Sequence, residues 1–281
     1  MPLARALGWF DEQQVKLVET GSATDSLKLL EQGKIDGAGL TLDEVLRARE
    51  MGIPLSVLLV CDISAGADVL LVRPDIKTLA DLRGRRVGVE DGALGALMLY
   101  QVLQSAGLSI DQVKPVSLTV DQHVQAWKRG EIDAVITYEP AAKQILAMGG
   151  GRLFDSRQIP DVILDVLAVR TSVLDSAHAA ALRQLVAAHL RALHHIDSNP
   201  EDAAYRMAAR FKLPPDQVLA EFKGLVMPDL ENNIRLIATS TPQVLKSASA
   251  IADVMRKAGI LHRQANFEEL LRGEFLPRDD S

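Results

Sequence analysis

Residues 30–37 read LEQGKIDG and residues 127–134 read WKRGEIDA. Gly33 pairs with Gly130, Ile35 with Ile132, Asp36 with Asp133 and, beyond the quoted stretch, Gly52 with Gly149, all at one offset of 97 residues. The shared pattern is a helix ending at a glycine C′ position, one polar residue, then a strand that starts near an Asp. A single offset that holds across a helix, a turn, a strand and the next helix predicts two similar α/β lobes. Two copies are too few for a solenoid array. Asp36 and Asp133 read as turn-stabilising carboxylates, part of the architecture more than of any chemistry.

Outward from the repeat, short β-branched runs alternate with helical stretches at the spacing of βα units. Strands are predicted at 14–19, 35–40, 55–62, 69–72, 86–90, 116–118, 132–138 and 162–169, with helices at 23–32, 42–51, 92–106, 121–129 and 139–148. Beyond Arg170 only helices are expected, at 177–196, 200–211, 214–225, 241–258 and 267–271. Helices without strands of their own need a sheet or other helices to cover, so the last third is expected to pack back on the first lobe.

The chain has 281 residues, with 31 Lys plus Arg against 37 Asp plus Glu, 48% hydrophobic and 4% aromatic. That length holds about two domains, each able to bury a core without metals or disulfides. The net charge of −6 argues against a nucleic-acid partner. Cys61 is the only cysteine, which excludes an internal disulfide and thiolate clusters; it reads as a small buried hydrophobe. Uncharged apolar runs such as Ile53 to Cys61 are too short to span a membrane, and MPLARALGWF does not read as a secretory signal.

The stretches ARALGWF (4–10), LLEQGKIDGA (29–38), ADLRGRRVGV (80–89), GEIDAVITYEP (130–140) and DLENN (229–233), with Phe275-Leu-Pro after them, resemble the nitrate/sulfonate/taurine substrate-binding proteins of ABC importers. That family shares its fold with the thiamine-pyrimidine-synthesis proteins, and the resemblance runs in order over nearly the whole chain. It implies an α/β, two-lobed periplasmic binding protein-like (type II) fold with the helical C-terminal third packed on lobe one. Lobe one would be 1–68 plus 171–281 and lobe two 69–170, with hinge crossings near 69–72 and 167–170. A periplasmic monomer is implied, with a small-molecule ligand and an ABC permease as partners and with no cofactor or metal. The ligand would be a small polar solute, sulfonate- or taurine-like, an amine or a heterocycle. Family members begin with a strand ahead of the ARALGWF-like helix and carry an export signal. Neither is found here, so a start placed too far downstream, or a clipped chain, is expected.

Carried over position by position, the resemblance lines the cleft with Ser22, Thr24, Leu40, Thr41 and Ser64 from lobe one. From lobe two it takes Asp91, Gly92, Ala93, Tyr138, Glu139 and Asp165. Ser22 and Thr24 sit at a helix start, where a hydroxyl either caps the backbone or turns to a ligand. Thr41 opens a Thr-x-x-Glu capping box with Glu44. Gly92 and Ala93 leave the next helix's N–H groups approachable. Tyr138 is either a lid or core filling, and Glu139 lies where the helix dipole alone favours a carboxylate. Asp165 interrupts an apolar strand, an expensive place for an unpaired charge. These turns hold Asp62, Asp91, Glu139 and Asp165 but neither Lys nor Arg, which favours a zwitterion, an amine or a neutral heterocycle over a plain anion.

Two other classes stay open: an enzyme of the same fold, of the pyrimidine or menaquinone-pathway type, and a ligand-sensing module without transport. The chain shows no nucleophile elbow, P-loop or dinucleotide fingerprint. Its six histidines fall on no cleft turn, although His123 lies one helical turn away, and they read as packing or surface residues.

Overall fold

A computed structural model describes residues 1–90 and 92–277. Nine strands occur among them: β1 (Gly37–Thr41), β2 (Leu55–Ser64), β3 (Val69–Val72), β4 (Arg86–Val89), β5 (Lys114–Ser117), β6 (Ala134–Thr137), β7 (Gly151–Asp155), β8 (Leu164–Arg170) and β9 (Leu225–Val226). The helices of the first two thirds are α1 (Pro2–Ala6), α2 (Ala23–Glu31), α3 (Leu42–Glu50), α4 (Ala93–Ala106), α5 (Val120–Lys128) and α6 (Ala141–Ala147). The last third adds α7 (Ala179–Ser198), α8 (Pro200–Phe211), α9 (Pro215–Val218), α10 (Leu230–Asn233) and α11 (Gln243–Lys257).

The strands form two sheets, ordered β1-β8-β2-β9 and β5-β4-β6-β3-β7. The internal repeat is visible in both. α2 and β1 recur as α5 and β6 at the same offset, and the glycines of each pair share a left-handed backbone: Gly33 and Gly130 have φ of 65° and 67°, Gly52 and Gly149 of 89° and 87°. The pairing repeats as well. β8 lies antiparallel between β1 and β2, as β3 lies antiparallel between β6 and β7.

Each central strand therefore comes straight from the other half of the molecule. The chain crosses from β2 of the first sheet to β3 of the second through 65–68, and returns from β7 to β8 through 156–163. This shifts the expected crossings: 69–72 is wholly a strand of the second sheet, and 164–170 belongs to the first, held there by ladders on both sides. The two crossings are braced together. Ser64 Oγ and Ser156 Oγ are 2.7 Å apart, and Ser156 Oγ also accepts the Gly66 N–H at 2.7 Å. Ser156→Ala removes a partner from the half-buried Gly66 N–H and from the buried Ser64 hydroxyl, and a loss of about 1–3 kcal/mol is expected in urea denaturation.

The C-terminal helices cover the first sheet. Leu182, Leu185, Val186, Ile237, Val244, Ile251 and Met255 share one apolar core with Leu42, Val45, Leu55, Leu58 and Val166. Three expectations change. Residues 14–19 form no strand, and Val15 and Leu17 pack as irregular chain. Residues 267–271 form no helix, because the backbone turns to the sheet: Leu270 O accepts the Val57 N–H at 2.7 Å and Arg272 N–H donates to Val57 O at 2.9 Å. The helix expected over 214–225 stops early, as α9 gives way to a 3₁₀ turn over Leu219–Phe222 and then β9.

Asp133 is architectural, as expected, but it ties two strands together and does not stabilise its own turn. Its carboxylate accepts Nε and Nη2 of Arg86 at 3.0 and 2.7 Å and the Arg86 N–H at 2.9 Å, tying the approach to β6 onto β4.

Candidate functional site

At one end of the first sheet, β1 runs into α3 and Thr41 pairs with Asp165 of β8, which on its other side pairs with Asp62 of β2. Three adjacent strands thus bring Thr41, Asp165 and Asp62 into one row. The capping box forms, with the Thr41 N–H donating to Glu44 Oε2 at 2.9 Å. The first turn of α3 then adds Asp43 and Glu44, both buried. The second sheet presents its own strand ends. Glu90 follows β4, Tyr138 follows β6, and Asp68 precedes β3 opposite Tyr138.

These two ends face one another. A Cβ added at Gly92, the residue before α4, would lie 3.8 Å from Glu44 Oε1. The Tyr138 hydroxyl is pushed upward by burial and then by Glu90, Asp68, Asp165 and Glu44, acids from both sheets. The Tyr138 side chain nevertheless stays 39% exposed, so it stands at the mouth of the cleft.

The charges within are all of one sign. Burial, reinforced by its cross-strand partner Asp165, pushes Asp62 up to about 9. Asp165 is itself raised by burial. Burial raises Glu44 to about 7, Asp68 to about 6 and Asp43 well above the usual carboxylate range, with Glu44 adding to the last. Neither carboxylate oxygen of Asp43 has a hydrogen-bond partner. None of Asp43, Glu44, Asp62, Asp68 or Asp165 forms an ion pair with Lys, Arg or His among the described residues.

The structure gathers Thr41, Gly92, Tyr138 and Asp165 at this cleft. Ser64 lies at its hinge side, its hydroxyl engaged by Ser156 and by the Asp68 N–H at 3.2 Å. Ala93 is buried in the apolar core of the first sheet, so the start of α4 packs across the cleft. Leu40 fills the same core with its side chain. Ser22 caps α2, accepting the Asp25 N–H at 3.1 Å, and Thr24 lies exposed on the next turn. Glu139 turns to its own helix, accepting the Lys143 N–H at 2.9 Å, and its charge is felt by Glu221. Asp91 lies outside the described residues.

Asp43, Glu44, Asp68 and Glu90 escape sequence reasoning. Carboxylates in the first turn of a helix are explained by the dipole alone, so Asp43 and Glu44 look ordinary until their burial is seen. The signal available was their place directly after a strand. His123 is buried under β6 with Nδ1 3.1 Å from Thr137 Oγ1, and burial lowers it to about 4. Burial lowers His189 to about 3, and it keeps Cys61 in the thiol form. Among the described residues, no group of three or more His, Cys, Asp or Glu could hold a metal ion.

Two sheets that exchange central strands and present their strand ends to a shared cleft define the two-lobed α/β class of periplasmic binding proteins. Known structures agree. The alkanesulfonate-binding protein SsuA from Xanthomonas axonopodis pv. citri, solved bound to MOPS, superposes with a TM-score of 0.77 at 21% identity, over 94% of this chain and 90% of that one. Residues 1–203 match the family described as NMT1/THI5 like, and the chain belongs to that family. A putative aliphatic sulfonates-binding protein of Escherichia coli K12 is 31% identical over 147 residues, 51% of this chain and 46% of that protein. The taurine-binding periplasmic protein of the same organism is 25% identical over 183 residues, 64% and 57% of the two chains. The chain spans about half the length of the curated relatives it matches. These relatives are binding proteins, although the desulfurization enzyme DSZB shares the fold, with a TM-score of 0.63 at 16% identity over 98% and 94% of the two chains. No helix among the described residues is long and apolar enough to cross a membrane.

Proposed function

We propose that this chain is the solute-binding component of an ABC importer, working in the periplasm. It captures a small polar solute between two lobes, one built on each sheet, and presents the closed form to a membrane permease. The lobes rotate about the paired crossings at 65–68 and 156–163. The observation that carries this reading is the approach of Glu44 to Gly92, which brings the first turn of α3 against the start of α4 from the opposite sheet.

Binding without turnover is the reading the site supports. Cys61 is held as a thiol and His123 as a neutral ring against Thr137, so neither offers an activated nucleophile or base to the cleft. Ser64, the remaining hydroxyl by the hinge, is taken up by the crossing segments.

Gly92→Val places methyl groups in the space toward Glu44 and should hold the lobes apart. Tyr138→Ala removes the aromatic wall at the mouth. Each is expected to weaken solute binding about tenfold or more while leaving the circular-dichroism melting curve of the empty protein in place. Small-angle scattering, with taurine, putrescine and ethanesulfonate as trial solutes, should show the wild type contracting on binding and Gly92→Val failing to contract. Unchanged affinity in both variants would show that the cleft lies elsewhere.

A further inference from the structure

The acids of the cleft come from every element that faces it: Asp43 and Glu44 of α3, Asp62 of β2, Asp68 of the first crossing, Glu90 after β4 and Asp165 of β8, with the Tyr138 phenol at the mouth. The thiol of Cys61 adjoins them on β2, and the buried Met1 ammonium lies near that thiol. Two features separate this group from an ordinary acidic surface. Asp62 and Asp165 are direct cross-strand partners, so each ionised carboxylate opposes the other within a buried row. Behind them Asp43 has no exposed surface, and neither of its oxygens makes a hydrogen bond of good geometry, although the Thr41 hydroxyl and its own N–H lie near it along with Glu44 and Asp165. A fully buried carboxyl left with two open acceptors normally has a donor supplied from outside the chain.

We propose that the solute held in this cleft carries a protonated nitrogen, and that on binding its positive charge replaces protons shared among Asp62, Asp165, Asp43 and Glu44. This rests on the solute-binding reading above and names its ligand class. A carboxyl group that gives up its proton to solvent becomes an acceptor for the ammonium N–H, so the charge removed as H⁺ is restored by the ligand and the closed cleft stays near neutrality. The Tyr138 ring at the mouth fits the same ligand, since the face of an aromatic ring attracts a cation. A sulfonate alone would instead add a negative charge beside Asp43, Glu44, Asp62, Asp68 and Asp165, which pair with no Lys, Arg or His among the described residues.

The proton exchange gives the class its own signature. Asp62, raised to about 9, is protonated at neutral pH and Glu44, raised to about 7, is half protonated, so a cation that stabilises their ionised forms releases protons when it binds, and its affinity rises as the pH rises from about 6 to 9. A neutral or anionic ligand does neither.

The test is titration calorimetry with putrescine, ethanolamine and taurine, against ethanesulfonate as the matched sulfonate without an amine, each in phosphate and in borate, buffers that carry no amine. At least one amine should bind with a buffer-dependent heat that reports proton release, and ethanesulfonate should not bind. Asp62→Asn and Asp43→Asn should each cost the amine about tenfold or more in affinity. Both should raise the melting temperature of the empty protein at pH 8, so that lost binding cannot be put down to unfolding. Ethanesulfonate binding as well as taurine, or amine binding with no proton release, overturns the cation class while leaving solute binding intact. If no amine at millimolar concentration binds, the cation class falls; if, in addition, no probe contracts the protein in scattering, the solute-binding reading falls with it.

Discussion

Replacing Asn233 with alanine is expected to destabilise the protein by about 3–5 kcal/mol, read as a lower urea midpoint at unchanged slope. The reason lies in what borders β2. β9 extends that side of the sheet only at Ile63 and Ser64, which leaves Val60 facing the C-terminal third without a neighbouring strand. The Asn233 amide substitutes for one: Oδ1 accepts the Val60 N–H at 2.8 Å and Nδ2 donates to Val60 O at 3.2 Å. Nδ2 also reaches Pro228 O at 3.0 Å and Asp229 O at 3.1 Å, binding the turn before α10 to the sheet. The side chain has no exposed surface, so alanine leaves both polar groups of Val60 dry and unmatched. Asn233→Asp should be worse, since it keeps the acceptor, loses both donors and sets a charge against carbonyl oxygens. Val60 stands two residues before Asp62, so both variants should also loosen the cleft. A change under about 1 kcal/mol in the alanine variant would mean that water takes over these bonds.

The second large effect is a fall in melting temperature of the empty protein as the pH rises from 5 to 8. In the unfolded chain Asp and Glu titrate near 4, whereas burial holds Asp68 at about 6, Glu44 at about 7 and Asp62 at about 9. Because these folded values are raised, the folded state binds more protons than the unfolded one between the two limits. Stability from these groups is complete below about pH 4 and is lost as the pH climbs through their folded values. At pH 7 Asp62 alone would cost on the order of 4 kcal/mol, a large part of the 5–15 kcal/mol that holds a typical domain together. Parting the lobes lets water reach the acids and relieves most of this, so scattering should show the empty protein closed near pH 5 and open near pH 8. Asp133 and Asp155 work the other way, since Arg86 and Arg157 lower them, but their contribution is already complete above about pH 4. His123 and His189, lowered by burial to about 4 and about 3, also work the other way and offset part of the fall up to about pH 6.5, so the fall should be steepest above that pH. A melting temperature that is flat or rising over this range would mean that the cleft acids are already neutralised by a partner.

The repeat was legible in the sequence because its punctuation is local: a glycine at φ of 65–67° ends α2 and α5, and no neighbour is needed to require it. Strands whose signal depends on partners were less legible. Gln14, Val15, Lys16 and Leu17 alternate polar and apolar in the manner of a strand, yet no strand pairs with them. β7, GRLFD, opens on glycine and carries two charges because it lies at a sheet edge, so its pattern looks like loop. In the cleft, Asp165 stood out through the apolar residues around it. Asp43 and Glu44 did not, since a first-turn acid and a buried acid have the same letter, and only the packing of α4 and β8 against α3 separates them.

The exchange of central strands also sets an order of events during synthesis. β6, β3 and β7 all lie within residues 69–155, so the second sheet can close its ladder as soon as β7 emerges. β1 and β2 share no ladder with each other; each pairs with β8, which is made about 100 residues after β2 ends. At about 5–20 residues per second, the longest strand of the protein therefore waits roughly 5–20 s with both edges bare while the other half folds. Residues 55–64 are thus where a nascent chain is most exposed to chaperones and to mispairing, and a slowed ribosome between 65 and 163 should lower the soluble yield more than one slowed after 170.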